Sequence, residues 1–323
     1  MRNSVETSDS KPIVIAGQFA EFDQLTEATA AWDIDFRQVG KGKLNATLTQ
    51  ATAASWSLAM ARFDRPSFQQ GTTVTGMRTF AILNSQASEQ EWCGSRFSPD
   101  TIAVFAGDGA FQAISQPGFD VYTLSFSDEK LATACERLGV PDVTEKLLSS
   151  SAVLHIDRRQ TRELRHLVKS ALQALCKKGL EGSDWNDADH ISDKISEHLV
   201  LLLTDSSYLS YTPSQRLRSK AIHSAFEVIE AGLAKGISVR EVIKDTGISR
   251  RTLEYAFRNR YNFSPKEFIN SQRMVMVRRD LLSQPGSITE IASHWGYWHM
   301  GQFARDYRRQ FGELPSQTRV RRY

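Results

Sequence analysis

Histidine is missing from the first 154 residues: all seven, His155, His166, His190, His198, His223, His294 and His299, lie beyond them. A histidine-based metal centre needs two or three imidazoles around one ion, so the N-terminal part argues against a typical metal-dependent enzyme. Cysteine is scarce as well. Cys93, Cys135 and Cys176 are odd in number and too scattered for a zinc signature or a disulfide framework, and read as buried apolar thiols. None has a histidine near it in sequence, and G-x-S-x-G, a Walker A loop and a dinucleotide fingerprint are all absent. Neither enzymatic activity nor a cofactor is therefore expected. Long apolar runs are lacking too. No window reaches the ~18 residues of a membrane span, and Met1 to Ser10 lack the apolar stretch of a signal peptide, so a cytoplasmic location away from membranes is expected.

What is present is an ordinary globular composition, 41% hydrophobic and 24% charged, in 323 residues, enough for about two domains. The net charge of +3 is unevenly spread. Residues 221 to 323 hold 17 Lys and Arg against 10 Asp and Glu, a balance of +7, leaving −4 for the rest. Such asymmetry is what a chain shows when only one part approaches a polyanion.

From about residue 13 to 140 the chain reads as short strands: Asp35 to Val39, Leu44 to Ala51, Ser55 to Phe63, Gly76 to Leu83, Thr101 to Ala106 and Val121 to Phe126. Turn signals at Gly40-Lys41-Gly42, Asp64-Arg65-Pro66, Gly107-Asp108-Gly109 and Gln116-Pro117-Gly118 separate them, which predicts an antiparallel sandwich or barrel. Helical periodicity follows over Ser127 to Gly139, Asp157 to Lys178, Ile191 to Thr204 and Ser214 to Leu233. Between two of these helices, Lys178 to His190 carries Asp184, Asp187 and Asp189. It lacks the sixth-position glycine and twelfth-position carboxylate of a calcium loop and reads as solvated.

The basic third contains an internal repeat. Ser238 to Asp245 predicts a short helix, Thr246-Gly247-Ile248 a tight turn, and Ser249 the cap of a second helix, Arg250 to Arg260. The pattern returns as Ile288 to His294, a turn at Gly296, and a helix from about His299 to Phe311. Leu253, Phe257, Arg258, Tyr261 and Pro265 recur 50 residues later as Phe303, Tyr307, Arg308, Phe311 and Pro315. Two tandem helix-turn-helix units are expected. Between them, Pro265 to Leu282 has the spacing of one connecting helix of roughly 27 Å, against ~34 Å for a turn of B-DNA, so both second helices could occupy adjacent major grooves.

The outward face of the first such helix offers Arg250, Arg251, Glu254 and Tyr255 to bases and Arg258 to phosphate. The second offers Met300, Gln302 and Arg305 to bases and Arg308 and Arg309 to phosphates. Arginine bridges guanine O6 and N7, glutamine reads adenine, and glutamate accepts from cytosine N4.

Ser249-Arg250-Arg251-Thr252-Leu253, Ile291-Ala292, Gly296-Tyr297, Phe303, Arg305, Tyr307-Arg308, Phe311-Gly312 and Pro315 together resemble the AraC/XylS family of transcription regulators over residues 220 to 320. Asn262, Gly301 and Leu314 depart from the usual Gly, Ser and Ser or Thr, and Ile243 stands where a small residue is usual. The runs 249–253 and 295–303 look most like the activator of ethanolamine-utilisation operons. The effector does not follow from that likeness, because the other domain chooses it. The resemblance implies an α+β chain: a jelly-roll, cupin-like β-barrel for effector binding over residues 1–150, a helical dimerisation or linker region over 151–213, and an all-α double helix-turn-helix domain over 214–323. It implies as partners promoter DNA, RNA polymerase, a small-molecule effector and a second copy in a homodimer. The alternatives are a barrel that only dimerises or binds protein and, more remotely, a cupin-type enzyme. An effector pocket in such a barrel is apolar and aromatic, and Trp56, Phe63, Phe80, Trp92, Phe105 and Tyr122 are candidates for it. Arg96 joins them as an anion partner if it points inward.

Overall fold

The computed structural model describes residues 11–29, 32–92, 95–107, 110–143, 151–181, 186–208 and 213–321. Cys93 and Asp184 lie outside the described residues. The N-terminal part runs β1 (Ile13–Phe19), α1 (Phe22–Ala28), β2 (Asp33–Gln38), β3 (Ala46–Thr52), β4 (Trp56–Phe63), β5 (Ser67–Thr72), β6 (Met77–Leu83), β7 (Gln90–Trp92), β8 (Ser95–Phe97), β9 (Thr101–Val104), β10 (Ala110–Ser115) and β11 (Phe119–Ser127). Then come α2 (Asp128–Leu138), β12 (Ala152–His155), α3 (Arg158–Glu181), α4 (Asn186–Thr204) and β13 (Ser207–Tyr208). The C-terminal part is helical: α5 (Pro213–Gly232), α6 (Val239–Thr246), α7 (Arg250–Tyr261), α8 (Pro265–Ser283), α9 (Ile288–His294), α10 (Met300–Phe311) and α11 (Pro315–Val320).

The strands do not close into the expected barrel. They form an antiparallel eight-stranded sheet, β1-β3-β4-β11-β6-β9-β12-β13, a three-stranded sheet, β10-β5-β2, and the β7–β8 hairpin. Two-residue alternation explains why the large sheet is covered on both faces. Trp56 and Leu58 of β4, Phe80 and Ile82 of β6, and Tyr122, Leu124 and Phe126 of β11 point one way, into a core shared with α2, α3 and α4. Ala59, Phe63, Ala81, Leu83 and Val121 alternate to the other face, toward the three-stranded sheet.

The middle helices are therefore the second layer of the sheet's own core, through Leu164, Val168, Leu172, Ile195 and Leu199. The polar stretch between them is shorter than the sequence suggests. α3 continues to Glu181, and α4 begins at Asn186 with Asp187 and Asp189 in its first turn, where carboxylates oppose the positive end of the helix dipole. The small sheet is a shared wall. Ile34 and Phe36 face the large sheet, whereas Asp35 and Arg37 of the same strand face the C-terminal helices. On β5, Phe68 joins the C-terminal core, with its ring 5.2 Å from Phe226 and 5.4 Å from Phe268.

Candidate functional site

Each helix-turn-helix unit is built by local chemistry that the sequence displays. In the first, Ser238 and Glu241 form a capping box that opens α6, with the Ser238 N–H donating to Glu241 Oε2 at 2.7 Å. Ser287 and Glu290 do the same for α9, at 2.7 Å. These bonds to the capping serines hold both glutamate carboxyls below their ordinary range. The turns are made by Gly247 at φ 68° and Gly296 at φ 84°, a left-handed conformation that a side chain resists. α7 is capped by Ser249, whose Oγ accepts from the Thr252 N–H at 3.1 Å; α10 starts at His299 with no side-chain cap.

The buried stripes are Leu253, Ala256, Phe257 and Tyr261 on α7, and Phe303, Tyr307 and Phe311 on α10. α8 fixes the two units to each other. Its buried Arg278 donates to Tyr307 Oη at 3.3 Å and to Glu313 Oε1 at 2.6 Å, and Tyr307 Oη in turn bonds Thr318 Oγ1 at 2.8 Å. Burial pushes the Tyr307 phenol up to about 12, so the network stays intact through neutral pH. Trp295 Nε1 donates to Asp280 of α8 at 2.7 Å, and Arg273 of α8 donates to the Ile237 carbonyl ahead of α6.

On the opposite faces Arg250, Arg251, Tyr255 and Arg258 of α7 are exposed, as are Gln302, Arg305, Arg308 and Arg309 of α10. Glu254 is half-buried, with its carboxylate 3.9 Å from Arg258 Nε. Met300 is half-buried and packs on the C-terminal core, so it offers less surface than its position suggests. Arg305 Nη2 donates to Gln302 Oε1 at 2.9 Å, and Gln302 Nε2 donates to Asp306 at 2.8 Å. These two side chains thus hold each other extended along one face. Trp298, 74% exposed immediately ahead of α10, adds an aromatic to this surface that the sequence reading did not single out.

The second candidate site is a cavity of about 90 Å³ between the two sheets. Trp92, Phe105 and Phe63 line it. Trp56, Phe80 and Tyr122 do not, because their strand positions have the other parity and turn them into the helical layer, where Trp56 Nε1 donates to Asp189 at 2.8 Å. Arg96 is also corrected. It alternates outward on β8 and pairs with Glu89 at 2.6 Å, with 72% of its side chain exposed. Sequence reading missed Trp32, Phe36 and Phe111, which line the cavity from β2, β10 and the segment before β2. Among the described residues no group of acidic, histidine or cysteine side chains could hold a metal, and no helix is long and apolar enough to cross a membrane.

The interface between the two parts also escaped the sequence. Arg279 of α8 bonds Asp23 at 2.8 Å and Asp35 at 2.5 Å, and Arg37 of β2 bonds Glu230 of α5 at 2.7 Å. Gln38 Nε2 donates to the Gln310 carbonyl at 2.6 Å, and the Gly42 N–H donates to the carbonyls of Arg309 and Gln310 at 3.0 Å.

The helix-turn-helix domain family matches residues 242–321. The chain is 35% identical over 99 residues to the probable thc operon regulatory protein of Rhodococcus erythropolis, covering 30% of each chain. It is 30% identical over 149 residues to the XylDLEGF operon transcriptional activator of Pseudomonas putida, covering 43% of this chain and 46% of that one. It thus spans less than half the length of these curated relatives. Among solved structures, a probable AraC family transcriptional regulator from Rhodopseudomonas palustris is 34% identical, with a TM-score of 0.31, over 32% of this chain and 99% of that one. Over residues 242–321 the chain thus carries a helix-turn-helix domain similar to those of AraC/XylS-type transcription regulators, the kind of protein that its relatives are.

Proposed function

We propose that this protein is a sequence-specific transcription activator that binds promoter DNA through α7 and α10 and responds to a small molecule held between its two β-sheets. The observation that carries the reading is the pair of arginine-bearing exposed helix faces, Arg250, Arg251 and Arg258 on α7 and Arg305, Arg308 and Arg309 on α10, fixed to one connecting helix. α8 has 19 residues, or about 28 Å of length, which suits two helices entering successive major grooves on one side of the duplex. Arg250, Arg251, Glu254, Tyr255, Gln302 and Arg305 are assigned to bases, with Met300 at the margin, and Arg258, Arg308 and Arg309 to phosphates. Activation of an operon is what the Pseudomonas relative's name describes, and contact with RNA polymerase is the matching partner here. The likeness of residues 249–253 and 295–303 to the ethanolamine-operon activator concerns base reading, not the effector. A homodimer, built on the middle helices where Leu201 of α4 is 44% exposed, and a cytoplasmic location complete the reading.

Genome-wide mapping of the sites that the full chain occupies tests this function, since it asks for a shared sequence upstream of particular genes. Occupancy without any shared sequence would contradict it. On one such site, neutralisation of about six phosphates gives a log-log salt slope near −5, and an affinity independent of salt would contradict the basic faces as the contact surface.

A further inference from the structure

We propose that the cavity between the sheets takes a small uncharged molecule of one ring bearing a hydrogen-bond donor, of the size and polarity of phenol, with the donor seated on Gln50 Oε1. The inference rests on the reading of the chain as an effector-responsive regulator and names the class of effector. Size is the first constraint. A cavity of about 90 Å³ is smaller than the roughly 150 Å³ apolar cavity that accepts benzene, so a single ring enters only as the aromatic walls give way, and one small substituent on it is the ceiling. The walls are the second. Trp32, Phe36, Phe63, Trp92, Phe105 and Phe111 face the cavity, and the Trp92 and Phe105 rings lie 4.4 Å apart. This lining suits an apolar ring and gives a polyhydroxylated ligand too few partners.

Charge is the third constraint. Among the described residues no lysine, arginine or histidine lines the cavity, and the one ionisable side chain in its lining is that of Glu91. A carboxylate there would be desolvated with no basic side chain from that lining to offset its charge.

Gln50 supplies the polarity. It is 2% exposed on the cavity side of β3, and its Nε2 donates to the Thr52 and Ser57 hydroxyls at 3.1 and 3.4 Å. Its Oε1 is buried and accepts no hydrogen bond from any of the described residues. The neighbouring amides are engaged: Gln90 accepts from the Gln116 N–H at 2.7 Å and donates to the Ser88 carbonyl at 3.0 Å, and Gln69 donates to Ser67 at 3.2 Å. A buried acceptor left unpaired costs free energy that an O–H or N–H on the ligand recovers.

Titration calorimetry of the full chain at neutral pH with phenol, its methyl isostere toluene, and benzoate tests this. Phenol binds, toluene binds about tenfold more weakly for want of the donor, and benzoate shows no heat. In Gln50→Leu the preference for phenol over toluene disappears. In Ala81→Leu, which adds bulk at a lining position, both ligands are lost while circular dichroism stays that of the wild type. Benzoate binding as tightly as phenol, a Gln50→Leu protein that keeps the phenol preference, or a wild-type protein that binds none of the three would each overturn the proposal. Affinity for a mapped promoter fragment, measured on the same proteins without ligand, keeps the two readings apart. Specific DNA binding with the wrong ligand pattern removes only the effector class, and absence of specific DNA binding removes the regulator reading.

Discussion

Arginine residues on α7 and α10 differ in what their positions let them reach. Arg251 and Arg305 stand in the early turns of their helices, and Arg258 and Arg308 follow farther along. Arg251→Ala or Arg305→Ala should cost roughly 1–3 kcal/mol on the true site and relax preference at particular base pairs. Arg258→Ala and Arg308→Ala should weaken all sequences about equally and flatten the salt slope by about one unit each. Selection of binding sites from a random pool by each variant checks the division, and an unchanged motif for both Arg251→Ala and Arg305→Ala would refute it. Arg305 has a further consequence in the free protein, where it holds the Gln302 amide oxygen at 2.9 Å. Removing Arg305 releases Gln302, so the blurred positions should include the base assigned to Gln302, whereas Gln302→Ala leaves the Arg305 position readable.

Elements were legible where local chemistry alone decides them. Ser127 and Gly139 bracket α2 as cap and left-handed terminator, and Ile288 to His294 is helical over the span that periodicity indicates, because caps, glycines and apolar stripes act within a few residues. β5 and β10 were missed. Ser67–Thr72 and Ala110–Ser115 hold few β-branched side chains and owe their strand conformation to pairing with each other and with β2. α11 was missed because its six residues carry little apolar signal of their own and are held by Pro315 and Thr318 in the C-terminal core. The cavity was half legible for a related reason. Aromatic residue type pointed to the right domain, but only strand parity separates Phe63 and Phe105 from Phe80 and Tyr122, and a register is not fixed until partners are known. At this scale the second turn is the sharpest test. A Cβ at Gly296 would meet nothing within 4 Å, so the cost of Gly296→Val is purely the strain of a β-branched residue at φ 84°, about 1–3 kcal/mol. Relief of that strain misdirects α10 and leaves α7 in place. A footprint at low salt should shorten by about one helical turn, ~10 bp, and a full-length footprint at wild-type affinity would contradict this account.

The described residues are layered as helices, large sheet, cavity, small sheet and DNA-binding domain, so the small sheet lies between the cavity and the helix-turn-helix units. Strand β2 makes the connection directly, with Phe36 on the cavity and Asp35 and Arg37 on the other side. Arg279 lies on the helix that joins the two helix-turn-helix units, and it grips Asp23 and Asp35 with a quarter of its side chain exposed. Partial exposure discounts the ion pairs, and Arg279→Ala should cost on the order of 1–3 kcal/mol of docking between the two parts. Acid should act on the same clamp. Burial works to raise the Asp35 carboxyl, but bonds and charge from Arg279 and Arg37 prevail and hold it below its ordinary 3.8. A carboxyl lowered on folding stabilises the folded state fully above that ordinary value, and the contribution fades as pH falls through the lowered one. Docking should therefore be constant from neutral pH down to about 5 and weaken below 4, and in Arg279→Ala this acid step should shrink. Thermal unfolding of the full chain across that range, followed by the fluorescence of Trp295 on the DNA-binding side and Trp32 and Trp92 on the cavity side, reads the coupling. In the wild type the two parts should unfold in one transition at neutral pH, and in Arg279→Ala they should separate into two. A single transition in the variant with the wild-type acid profile would mean that Phe68 and its aromatic neighbours, rather than the arginine clamp, hold the wall against the DNA-binding domain.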